Sequence, residues 1–212
     1  MSKPQLIVIG AGGHAQACID VIEQENKYEI AGLVGVSSEL NTQFLGYSII
    51  ATDNDLQELA KEYRFAFIAI GQIKSPVNRI RLYQKLFELG FQFPQIISPT
   101  ATVSQYATIG DGSIIMNGVI INAGAKVGIN CIINTKAVLE HNVTVNDNCH
   151  ISTGAMLNGD VTVDSGSFIG SGCIIKEGIT IGSNCLVGMG LSVRHNQADN
   201  SRFLGKTNYA GK

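Results

Sequence analysis

From Ile97 to Val193 every sixth residue is isoleucine, valine or leucine, with no slip in register. A helix would repeat near 3.6 residues and a half-buried strand at 2, so neither explains a period of six. That period marks a β-helix of hexapeptide repeats, in which each hexad supplies a short strand and a turn and three hexads close a coil of about 18 residues. The aliphatic residue points inward and stacks on its equivalent one coil away. Four places further on runs a second, smaller inward series that begins Ala101, Ala107, Ser113, Val119 and reaches Ala155. Four of the five cysteines (Cys131, Cys149, Cys173, Cys185) fall in this series, separated by 18, 24 and 12 residues, all multiples of six. They read as small buried packing residues, not as metal or redox groups. Glycine at the second hexad place (Gly110, Gly128, Gly170, Gly182, Gly188) is expected to supply the tight-turn conformations of the corners.

The first part of the chain has a different rhythm. Leu6 to Ile9 reads as a buried strand, followed by Gly10-Ala11-Gly12-Gly13-His14-Ala15 and a helix from about Ala15 to Gln24. This hexad fits G-x-G-x-x-A, the turn that brings a phosphate to a helix N-terminus. Further strands are expected over Ile30 to Val34 and Phe65 to Ile70, with helices over Asp53 to Tyr63 and Asn78 to Leu89. Alternating strands and helices predict a small Rossmann-like parallel sheet with helices packed on it. The two patterns divide the chain into a nucleotide-binding domain over 1–94 and a β-helix domain over 95–212. A dinucleotide fold also needs an acid at the end of its second strand to hold a ribose. Here that strand ends Val34-Gly35-Val36-Ser37, and the first acid is Glu39.

Composition narrows the function classes. Hydrophobic residues are 45% and charged residues 15% of the chain, enough for a core in either half, and the formal net charge is −2. No window concentrates Lys or Arg, which argues against a nucleic-acid partner. The longest apolar stretches are broken within about ten positions, too short to span a membrane. The N-terminus runs directly into a strand without the apolar region of a signal peptide, so the expected location is cytoplasmic.

Taken together, a GAGGH-type loop on a short Rossmann-like domain, then a β-helix carrying Glu140-His141 with His150 downstream, resembles the sialic-acid O-acetyltransferase and nucleotide-sugar N-acetyltransferase family. Acetyltransferases for UDP-linked bacillosamine precursors and for GDP-perosamine belong to it. The most specific stretch runs Ile133-Asn134-Thr135-Lys136-Ala137-Val138-Leu139-Glu140-His141 and continues through Cys149-His150 to Asn158-Gly159. The resemblance implies a left-handed β-helix, a homotrimer, acetyl-CoA bound between neighbouring β-helices without a metal, and a UDP- or GDP-linked 4-amino sugar of bacterial surface glycan biosynthesis as acceptor. It makes His141 the general base, Gly159 the amide donor to the thioester oxygen, Asn134 an active-site asparagine and His150 a neighbour of acetyl-CoA and substrate. His14, with Gly12 and Gly13, falls in the substrate-nucleotide loop.

The chain departs from the family at three places. Asn142 stands where an acid often orients the histidine, although asparagine can still accept a hydrogen bond. Gly35-Val36 lacks the acidic pair after the second strand. Gly205-Lys206-Thr207-Asn208-Tyr209 replaces a Gly-x-Pro-Ala-Lys segment.

Acetyl transfer from a thioester to an amine needs a base, a donor to the developing oxyanion and an exit for the thiolate. Histidine suits the first task near neutral pH. His141 and Gly159 lie 18 residues apart, one full coil, which places them on neighbouring strands about 4.8 Å apart. Competing classes fit less well. A trimeric zinc hydratase needs a third histidine within the repeat, an NAD enzyme needs the missing acid, and a scaffold has no use for the glycine loop. A sialic-acid-type O-acetyltransferase is the alternative within the family.

Overall fold

The computed structural model describes residues 2–205. The expected segment after Gly205 lies outside the described residues. The chain begins with β1 (Gln5–Ile9), α1 (Gly13–Glu25) and β2 (Glu29–Gly35), then a hairpin of β3 (Gln43–Phe44) and β4 (Tyr47–Thr52). It continues through α2 (Leu56–Glu62), β5 (Phe65–Ile68) and α3 (Val77–Glu88). The sheet order is β3-β4-β2-β1-β5, parallel except for the β3–β4 pair. The parallel sheet is as expected; the antiparallel edge is an addition.

Local chemistry moves two boundaries. Asp55 accepts hydrogen bonds at its Oδ2 from the Thr52 amide and hydroxyl, both at 2.8 Å, so Asp53 to Asp55 form a turn and α2 starts three residues later than the sequence suggests. After Ile68 the chain leaves the sheet, two residues earlier than expected. α1 stops at Asn26, which adopts a left-handed conformation (φ 60°) and donates its N–H to the Ile22 carbonyl.

The β-helix stacks two-residue strands into three parallel sheets, each strand pairing with the one a coil later, as Ile120 with Val138 and His150 with Phe168. The inward aliphatic series is buried from Ile115 onward, and the small series with it. One expectation is corrected. Left-handed corners occur at the fourth hexad place, from Gly112 through Asn130, Asn142 and Asp160 to Gly190, and not at the second-place glycines. Those glycines answer a different constraint. A Cβ on Gly110 would come within 2.5 Å of the Gly128 backbone, and one on Gly170 within 2.6 Å of Gly188, so the coils could not stack. Close approach between coils, not backbone torsion, explains them.

The three outer faces differ. One carries Ile96, Ile114, Ile132, His150 and Phe168, all buried. α1 packs over it, and the Glu25 carboxylate accepts the Ile97 N–H at 3.2 Å. The second carries Thr108, Lys126, Thr144, Thr162 and Thr180 and faces solvent. The third stacks Ile120, Val138, Met156 and Ile174 in register, and three of them are exposed, Ile174 by 46%.

Candidate active site

The glycine loop closes one end of a cavity of about 680 Å³ at the C-terminal edge of the first sheet, lined by Gly10, Gly12, Gly13, His14, Val36 and Glu39 among others. Gly10 has φ +117° and donates to the Val34 carbonyl at 2.8 Å, which turns the chain sharply into α1. The first turn of α1 has no acidic residue and no side-chain cap, so its N–H groups are free for an anion. Gly12, Gly13 and His14 form this uncapped helix start, which has the chemistry to accept an anion.

His14 is the second residue of α1, and its buried Nε2 has no hydrogen-bond partner among the described residues. Burial, then the charges of His150 and Arg79, lower its pKa to about 4, so the ring is neutral at physiological pH. Its centroid lies 6.3 Å from that of His150.

His150 and Asn134 form a second group. His150 is 6% exposed, on the strand face that the first domain covers. The Gln72 carbonyl can only accept, so His150 Nδ1 donates to it at 2.6 Å, and Nε2 accepts from Asn134 Nδ2 at 3.2 Å. Burial lowers this pKa to about 4 as well. The resemblance put His150 beside acetyl-CoA and substrate; in the structure it stands near His14 with both ring nitrogens engaged. Arg79 lies in the same junction, 2% exposed, donating to Gln72 Oε1 at 3.0 Å and to the Asn130 carbonyl at 2.6 Å. The sequence held a signal for it, since Arg79 shares the buried stripe of α3 with Leu82 and Leu86.

His141, Asn142 and Gly159 form the third group, at a corner between the apolar and threonine faces where His141 and Asn142 are exposed and Gly159 is buried. The one-coil relation is seen directly, because the His141 ring rests on Gly159 where any Cβ would overlap its Cε1 and Nε2. The Asp160 N–H donates to the His141 carbonyl at 3.0 Å and ties the two coils together. Asn142 differs from expectation. Its Nδ2 donates to Asp160 Oδ1 at 3.0 Å and lies 3.5 Å from His141 Nδ1. The acceptor-only carboxylate of Asp160 draws the amide N–H₂ outward, so Asn142 offers the imidazole a donor, not an acceptor. Beside this corner a cleft runs past Asn158 and Ile174 to Lys176 and Arg194. No group of side chains suited to a metal occurs among the described residues.

The chain is similar to known proteins along nearly its whole length. Residues 5–86 match the model of the PglD N-terminal domain, and residues 160–194 match the hexapeptide repeat of succinyl-transferase. The fold matches a mutant perosamine N-acetyltransferase from Caulobacter crescentus in complex with CoA and GDP-perosamine, at 30% identity over 96% of this chain and 95% of that one, with a TM-score of 0.88. It also matches the acetyltransferase domain of PglB from Neisseria gonorrhoeae in complex with acetyl coenzyme A, at 29% identity over 95% and 96% of the two chains, with a TM-score of 0.86. WeeI from Acinetobacter baumannii shares the fold at 21% identity over 95% and 97%, with a TM-score of 0.83. The chain belongs to the sialic-acid O-acetyltransferase and nucleotide-sugar N-acetyltransferase family, and it is an acetyl-CoA-dependent acyltransferase with a left-handed β-helix.

Proposed function

We propose that this chain transfers the acetyl group of acetyl-CoA to the amino group of a nucleotide-linked 4-amino sugar, at the corner formed by His141 and Gly159. The observation that carries this reading is the seating of the His141 ring on Gly159, which puts a base and a backbone amide side by side on neighbouring coils. The Gly159 N–H makes no hydrogen bond to another described residue and is free to meet the thioester oxygen. The amine nitrogen bonds to the acyl carbon while the C–S bond breaks. His141 receives the amine proton, and the thiolate leaves as CoA. The cleft at Asn158 and Ile174 suits the pantetheine arm, and Arg194 and Lys176, the latter 3.9 Å from Glu177, line it for the phosphates.

Assembly follows from the same geometry. The cavity at the glycine loop is lined by residues between 9 and 71 and includes none from the His141 corner. The exposed column of Ile120, Met156 and Ile174 borders that corner. A homotrimer that covers this face brings one protomer's nucleotide cavity to another's acetyl site. The buried, unpaired cysteines and the use of acetyl-CoA favour the cytoplasm.

The acceptor is tested by incubating the protein with acetyl-CoA and UDP- or GDP-linked sugars that carry either an amine or a hydroxyl at C4. Mass spectrometry should find one acetyl group on an amino sugar and CoA released in equal amount. Acetylation confined to hydroxyl sugars would replace this reading with the O-acetyltransferase one.

A further inference from the structure

The sequence offers no acid at the end of β2, where a nucleotide fold holds its ribose. The structure supplies one from further along. After Gly35 the chain makes a single 3₁₀ turn over Ser37–Glu39, which folds the Glu39 side chain back over the strand end. Its Oε2 accepts the Val36 N–H at 3.1 Å, and the Glu39 N–H donates to the Val36 carbonyl at 2.9 Å. Thr42 donates its hydroxyl to the Glu39 carbonyl at 2.6 Å, which fixes the other end of the turn. Gly35 makes the room: a Cβ there would lie 2.8 Å from Glu39 Oε2. The half-buried carboxylate therefore lines the same cavity as the glycine loop, and Oε1 has no hydrogen-bond partner among the described residues.

We propose that Glu39 is the ribose-binding acid of this chain, accepting hydrogen bonds from the 2′- and 3′-hydroxyls of a nucleoside diphosphate whose phosphates lie at Gly12 and Gly13. The inference rests on the nucleotide-linked acceptor proposed above. The distance logic is that of any Rossmann-type half: phosphate at the first turn, diol at the end of the second strand, base beyond it. Val36, 60% exposed at the cavity mouth, offers the base an apolar surface. Asp53 also lines the cavity but is exposed, one strand further out at the end of β4. A carboxylate only accepts, so it rewards hydroxyl donors and loses one of the two with either deoxyribose.

The test is calorimetric titration of UDP and GDP, and of their 2′-deoxy and 3′-deoxy forms, into wild type, E39A, E39Q and D53A. Wild type should favour the ribonucleotide over both deoxy forms. E39A should lose about 10-fold or more in affinity for the ribonucleotide, and the preference should vanish with it. E39Q retains an oxygen for the Val36 N–H and keeps the turn, so it should fold like wild type and show a smaller loss. D53A should bind as wild type does. If E39A and E39Q keep both the affinity and the preference, or if D53A alone loses them, Glu39 does not hold the ribose while the acceptor reading stands. If wild type binds neither diphosphate, the acceptor reading fails and takes this inference with it.

Discussion

At the scale of single residues, His141 depends on two neighbours, and each can be changed. Gly159 is the floor beneath the imidazole, so Gly159→Ala must push the ring out of place. Turnover should fall by about the 10²–10⁴-fold that general-base assistance contributes, with little effect on the melting temperature. Asn142 presents an N–H to the ring because Asp160 holds its amide. Replacing both, as Asn142→Asp with Asp160→Asn, reverses the pair so that a carboxylate can accept from His141 and stabilise the imidazolium. This variant should have a higher kcat than wild type; an unchanged or lower kcat would show that the acid adds nothing at this site. Asn142 was visible in the sequence as a departure, but the direction of its amide was not. That direction is set by Asp160, one coil away, which only the stacking reveals. Glu39 was hidden for a related reason, since a 3₁₀ turn carries it back to a strand end that spacing alone left empty.

Among the elements, the β-helix was the most legible, because a period of six leaves no other regular structure to choose. Its small inward series turns out to be more than filler. Ser113, Cys131, Cys149 and Ser167 each turn a hydroxyl or thiol toward a corner carbonyl of the next turn of chain, at 2.7 to 3.1 Å. These buried carbonyls would otherwise lack a donor, so hydroxyl and thiol are interchangeable there but a methyl is not. Cys131→Ser should unfold within about 1 kcal/mol of wild type in urea, and Cys131→Ala should be less stable by about 1–3 kcal/mol. Burial also raises the Cys131 thiol to about 11 and Cys18 to about 12, so both should resist alkylation until the protein is denatured. The hairpin β3–β4 was not legible. Ile49 points into the core while Ile50 is 37% exposed, and the paired isoleucines blur the alternation that marks a strand.

For the whole molecule, the junction between the first sheet and the β-helix carries the pH dependence. His14 and His150 both titrate near 4 in the fold, lowered chiefly by burial, against an ordinary value of 6.5. The unfolded chain takes up these protons first, so the stability they confer is fully present above about pH 6.5 and is lost as pH falls towards 4. Each contributes on the order of 3 kcal/mol over that window. Among the described residues the buried Arg79 has no carboxylate partner, which adds to the cost of a second cation there. Urea denaturation followed from pH 7 to pH 4 should show this decline, and His150→Gln should flatten it. His14, Asn134 and His150 were named from the resemblance, but their meeting in this junction could not be read from the chain, because its members lie far apart in sequence: His150 meets Gln72 across 78 residues. Light scattering at micromolar concentration should give about 68 kDa, three times 22.6 kDa. A monomer would leave the nucleotide cavity and the His141 corner unconnected.

The account as a whole turns on His141 as the base for amine acetylation. The direct test is kcat against pH for wild type and His141→Ala, with acetyl-CoA and a nucleotide-linked 4-amino sugar, alongside CoA affinity. The variant should bind CoA nearly as tightly as wild type while turnover near neutral pH falls by about 10²-fold, the lower end of the usual range, because a neutral amine can attack unaided. Wild-type turnover in the variant at neutral pH would contradict the assignment and leave His141 a positioning residue only.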